Sequence, residues 1–303
     1  MVERNSTDSI ASAIHKLSSE DLLNADETSR LAALFAFCER VTHWTDSARP
    51  DLAMHASVSD AVERCQFALA LSTETSALDL PDRLESRLNI FTWRLPLAAT
   101  TGGYFISKRR IHIVVANHVG ISPWMCCARQ MGRILSTNVC HNVSSFEASR
   151  FDNTSERRTL RSSANMFAME LLAPPAAFIA AVTAIRRAHS VDLAEPVGDI
   201  DLLWLSRVFG VSFFVAGKRA EQLGLLPRGA SVALTDMLCE KHGGPELRAK
   251  TLGLPPRPDD RFPNVPRSVM TLITQGLISG DMTKRDASLL FGHLLDFEPK
   301  RGH

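Results

Sequence analysis

The metal- and nucleophile-type side chains of this 303-residue sequence gather most closely where the adjacent Cys126 and Cys127 are followed by Cys140 and His141. Thiolate and imidazole are the softest donors a protein offers, and a zinc site needs four of them at short, fixed spacings. The spacing here matches no zinc ribbon or finger. Neighbouring residues on a helix also point about 100° apart, so Cys126 and Cys127 cannot both face one ion. The expectation is of buried, inert thiols, the other reading being a metal site of unfamiliar pattern. Six cysteines in all, with Cys38, Cys65 and Cys239 far from this group, are too thinly spread for a disulfide framework and are expected reduced. His112 and His118 flank the end of an apolar run, and each is expected to be a surface or internally satisfied histidine.

Charge is evenly balanced. Thirty-four basic and 33 acidic residues give a net charge of +1, without the electrostatic excess of a dedicated nucleic-acid binder. The local exception, Lys108-Arg109-Arg110, lies between the apolar runs YFI and IHIVV and is expected to be a solvated hairpin turn. With 45% hydrophobic residues the chain can bury a large core. No window approaches the roughly 18 apolar residues of a membrane span, and the polar opening MVERNSTDSIASAIHKL is unlike a secretory signal. A cytoplasmic protein without membrane contact is expected.

These groups must be carried by a mostly helical chain. Leu31, Leu34, Phe35 and Cys38 repeat at i, i+3, i+4 and i+7, predicting a helix that Pro50 ends. Val58, Ala61, Val62 and Cys65 predict a second, and Pro81 opens a third. From Asn89 the pattern turns to strands, NIFTWRLPL and the hairpin GGYFISKRRIHIVVAN. WMCCARQMGRIL after Pro123 reads as a helix, residues 136–155 as a polar loop, and TSERRTLRSSANMFAMELL as an amphipathic helix stopped by Pro174-Pro175. Helices IDLLWLSRVFG and, behind a Ser212 cap, FFVAGKRAEQLG follow, then a Pro- and Gly-rich linker over residues 243–266 and a closing helical pair.

In order and wording these segments resemble the ImmA/IrrE family of bacterial metallopeptidases, over about residues 75 to 295. Asn117 stands at the strand end. RSSANMFAMELLAP supplies Asn165, Phe167, Glu170 and Pro174 at the family spacing, and DLLWLSRVFGVSFFVAGKRAEQLGLL supplies Ser212 and Arg219. The resemblance implies an α+β, mostly helical fold with a small antiparallel or mixed sheet packed on a zincin-like pair of active-site helices, and extra helices at both ends. It implies a helical region over 1–74, a peptidase-like domain over 75–230, and a linker with a helical pair over 231–303.

The family's catalytic phrase is AHELGH, in which two His at i, i+4 hold zinc and the Glu is the general base. Here those positions read Ala128-Arg129-Gln130-Met131-Gly132-Arg133, and Gly132 alone is retained. The family's third ligand falls on Arg161 or Ser163. Guanidinium has no lone pair to give and a Gln amide takes no proton from an activated water, so no zinc cofactor and no HExxH-type hydrolysis is expected. Two guanidinium groups about 4 Å apart repel by roughly 4 kcal/mol at an effective dielectric near 20. The counter-charge is Glu147, Asp152, Glu156 or Glu170, or a bound small anion or partner carboxylate, unless the arginines reach solvent. The function implied is that of a pseudo-enzyme binding a protein, such as a repressor, in a regulatory or stress circuit. An unorthodox active peptidase and a DNA-binding regulator are the alternatives, nucleic acid being the less expected ligand.

Overall fold

The computed structural model describes residues 57–97, 100–107, 110–117, 122–136, 145–148 and 163–285, with Ser29, Leu31, Ala32, Leu34, Cys38 and Ala287. Helix α1 (Val58–Leu69) starts at Ser57, whose hydroxyl accepts from Asp60 N while Asp60 accepts from Ser57 N, a reciprocal cap. Helix α2 (Leu80–Leu88) opens on Pro81 and ends at Asn89, whose left-handed φ of 52° turns the chain straight into β1 (Ile90–Leu95). Strands β2 (Thr100–Ser107) and β3 (Arg110–Ala116) form the expected hairpin, with Ser107 opposite Arg110. Its turn residues, Lys108 and Arg109, lie outside the described residues.

The sheet is mixed, in the order β1-β3-β2-β4: β1 runs parallel to β3, whereas β4 (Ser145–Ala148) pairs antiparallel with β2. That fourth strand corrects the reading of residues 136–155 as loop throughout. Four residues in a polar stretch carry too little period-2 signal, and the open edge of β2 decides the pairing.

Both faces of the sheet are covered, which is why β1 and β3 are buried at every position. Ile90, Tyr104, Ile106, Ile111, Ile113 and Val115 turn to one face and join the main core with α1, α2 and the helices that follow. Phe91, Trp93, Leu95, Phe105, Val114 and Ala116 turn to the other, as strand alternation requires. That second face is closed by Leu31, Leu34 and Cys38, spaced as the sequence predicts, and by Val269 and Ile273 of α10 (Arg267–Ser279).

Helices α3 (Pro123–Ser136), α4 (Ser163–Leu172), α6 (Asp199–Val208) and α7 (Phe213–Gln222) fall where expected. Pro174-Pro175 does end α4, but it also begins a helix absent from the sequence reading. In α5 (Pro175–Ala188) the cap is Pro174 and the first helical residue Pro175, where a missing N–H costs nothing. The region read as linker also holds helix α9 (Pro245–Thr251) and a 3-10 turn (Pro258–Arg261), preceded by α8 (Ala230–His242). Among the described residues the protein is thus α+β and mostly helical, and no single helix is long and apolar enough to cross a membrane.

Candidate functional site

Helix α3 carries Arg129, Gln130, Gly132 and Arg133. Its start is fixed by Ser122, whose hydroxyl accepts from Met125 N and donates to the Gly210 carbonyl. Gly210 has φ +62°, and a Cβ there would stand 2.7 Å from Trp124 Cδ1, so only glycine lets the α6–α7 turn approach α3 so closely.

The middle of α3 is fixed by α4. A Cβ on Gly132 would fall 2.9 Å from Phe167 Cδ1 and 3.1 Å from Ala164 Cα. Gly132, Phe167 and Ala164 therefore form one close helix crossing, in which Gly132 has a packing role. Asn165, beside it, is buried. Ser163 is exposed at the first residue of α4, and Arg161 lies outside the described residues.

Burial along α3 follows a clear pattern. From Pro123 to Leu135 every residue is buried except Arg129 and Arg133, which are half-buried. One helical turn apart, these two share a face of the helix. Arg129 Nη2 is 3.9 Å from Cys126 Sγ. Gln130, between them in sequence, is wholly buried and faces elsewhere.

The other motif residues hold this pair of helices in place. Asn117 N donates to the Leu95 carbonyl at 2.7 Å, tying the end of β3 to β1. Ser212 caps α7 by accepting from Val215 N at 3.2 Å. From α7, Arg219 Nε donates to the Ala173 carbonyl at 2.8 Å and Nη1 to Gln222 Oε1 at 3.0 Å. Burial lowers the pKa of Arg219 and the nearby charge of half-buried Glu170 raises it. Of the other carboxylates proposed to offset the arginines, Asp152 and Glu156 lie outside the described residues.

The burial expected of Cys126 and Cys127 is found, whereas Cys239 is exposed. Cys126 and Cys127 are buried on α3, beside buried Cys65; desolvation pushes the Cys65 thiol up to about 12 and raises Cys127 as well. A thiol so held is a poor nucleophile. Cys140, His141 and His118 lie outside the described residues, and among the described residues no three His, Cys, Asp or Glu side chains are grouped to hold a metal ion.

His112 is completely buried under the second face of the sheet. Its Nδ1 accepts from Trp93 Nε1 at 3.2 Å, and it stacks on Phe105 at 4.6 Å and Phe91 at 5.4 Å between ring centroids. Desolvation, helped by the charge of Arg110, lowers its pKa to about 3. Of the two expected alternatives this is the internal histidine, hydrogen-bonded at Nδ1. Arg110, by contrast, is not part of a solvated turn. It is the first residue of β3, buried, with its guanidinium 5.3 Å from the centre of the Phe91 ring, because strand alternation points it to the aromatic face.

No family model matches the chain, and no curated protein matches it.

Proposed function

We propose that this protein is a catalytically inactive relative of the ImmA/IrrE-type metallopeptidases, a binding and regulatory module whose partner is a protein such as a repressor or another regulator. The observation that carries the reading is the exposure pattern of α3, in which every residue from Pro123 to Leu135 is buried except Arg129 and Arg133. In a zincin-like pair of helices those are the positions from which two ligands would reach a metal. Two guanidinium groups do not fit a cation of charge +2: they offer only N–H donors and repel it. Gln130, at the general-base position, is buried and has no basicity to lend. Two guanidinium groups one turn apart on this helix make a local positive charge suited to a carboxylate on a partner peptide.

The test is affinity capture from the native host followed by titration of the purified partner. Arg129→Glu/Arg133→Glu should weaken binding by roughly tenfold or more, the scale of losing charge-assisted hydrogen bonds, with an unchanged melting temperature. A partner that binds the reversed variant as tightly removes the reading. Zinc-dependent cleavage of that partner favours an active peptidase instead.

A further inference from the structure

Strand β1 is an outer strand of the sheet, and the segment over 255–266, reading PPRPDDRFPNVP, lies against its outer edge, where Arg94 N donates to the Asn264 carbonyl at 3.0 Å. Five of these twelve residues are proline. Without N–H groups at those positions the segment cannot add a regular strand to β1. Two apolar side chains anchor it instead. Phe262 enters the main core and meets Trp124 edge-on, 4.9 Å between ring centroids, while Val265 enters the second core. Three residues apart, they straddle the edge of the sheet.

The rest of the fastening comes from three guanidinium groups. Arg94 Nη1, from β1, donates to the Asp259 carbonyl at 2.8 Å. Arg207, from α6, donates from Nε to the Pro255 carbonyl at 3.1 Å and from Nη2 to Glu246 Oε2 of α9 at 2.6 Å. Arg257, within the segment, meets Glu246 Oε1 at 3.5 Å and Asp259 Oδ2 at 2.9 Å. All three arginines are buried. Desolvation raises the pKa of Asp259 against the opposing charges of Arg257 and Arg94. Removing these charges from water offsets much of their attraction, and two apolar anchors are few for twelve residues, the condition under which a segment opens ahead of the core.

We infer that residues 255–266 form a reversible strap, which swings open as one unit while the sheet stays folded and so uncovers the outer edge of β1. Its prolines, each with φ fixed, keep it stiff. Gly253, in the left-handed region at φ +71°, marks one end, and at the other Glu85 holds the start of α10 by accepting from Arg267 N at 2.8 Å and Ser268 N at 2.6 Å. Its opening does not depend on what α3 binds.

The experiment is native-state hydrogen exchange of the full-length protein, followed by NMR at low urea concentrations. The strap is reported by the amides of Arg94 and of Phe262, which donates to the Asp259 carbonyl at 3.2 Å; the interior strand β3 is the reference. Both strap amides should exchange roughly tenfold or more faster than those of β3, through an opening that depends little on urea. Arg94→Met/Glu246→Gln, which removes one guanidinium and the carboxylate shared by the other two, should speed them by a further factor of roughly ten or more and leave β3 unchanged. Parent-protein strap amides that exchange at the β3 rate with the β3 urea dependence would overturn the inference, as would a double substitution that leaves the strap rate unchanged or speeds β3 equally.

Discussion

Replacing Gly132 by alanine tests whether α3 and α4 meet as closely as described. In an isolated helix the change is favourable, since glycine costs about 1 kcal/mol relative to alanine in a helix interior. Here the new methyl would stand 2.9 Å from Phe167 Cδ1, 3.1 Å from Ala164 Cα and 3.2 Å from the Ala164 carbonyl oxygen. Two of these neighbours are backbone, and the third belongs to a ring that is 1% exposed, so none yields without moving the helices apart. Overpacking of this kind costs about 1–3 kcal/mol, and three short contacts at one atom put Gly132 in the upper half of that range. Against the propensity gain, Gly132→Ala should lose about 1–2 kcal/mol, and Gly132→Val, β-branched and bulkier, should lose more. Equilibrium urea denaturation followed by circular dichroism measures this as a lower midpoint at unchanged slope. The sign is decisive: a Gly132→Ala protein as stable as the parent, or more so, means the helices do not cross at this residue.

Three further outcomes follow from buried groups. The His112 pKa of about 3 lies below the ordinary value near 6.5, so between those pH values the unfolded chain takes up a proton the folded chain refuses. Its stabilising effect is complete above about pH 6.5 and is lost as pH falls toward 3. His112→Gln should therefore flatten the stability–pH curve in that window by up to about 1.4 kcal/mol per pH unit, and an unchanged slope would show that the imidazole is not held neutral. Arg186 pairs with Asp201 at 3.0 Å with both side chains largely buried, and Asp201 also accepts from Gly198 N. Asp201→Ala, which leaves that guanidinium only the carbonyls of Asp192, Leu193 and Glu195, should cost about 3 kcal/mol in the same urea assay, and a loss below about 1 kcal/mol would place the pair in solvent. Among the described thiols, exposed Cys239 should be alkylated in the native protein, while Cys65 and Cys127 should react only on unfolding. Mass-mapped modification of Cys127 under native conditions would contradict this.

Elements with a strong period were legible in the sequence. The helical repeat of Val58, Ala61, Val62 and Cys65, the hairpin around Lys108-Arg109 and the Ser212 cap all fall where local chemistry places them. What was missed depends on tertiary context. Pro175 reads as a helix stop and serves as a helix start, since proline is suited to either side of that boundary. The stretch over 245–261, rich in Pro and Gly, holds short helical pieces because such residues sit at helix ends as readily as in linkers. Of the candidate site, the sequence identified Arg129 and Arg133 by their places in a motif, but not that every other residue from Pro123 to Leu135 is buried. Arg110 was misread because its neighbours Lys108 and Arg109 suggested a solvated cluster, whereas its place in β3 points it onto Phe91.

Whether α3 can carry zinc separates a binding module from a metallopeptidase. Metal content measured by inductively coupled plasma mass spectrometry, on protein expressed with supplemental zinc and purified without chelator, tests this directly. Arginines at 129 and 133 predict a zinc content far below one per chain, unchanged by Arg129→Ala/Arg133→Ala. Near-stoichiometric zinc that coincides with peptidase activity would contradict it.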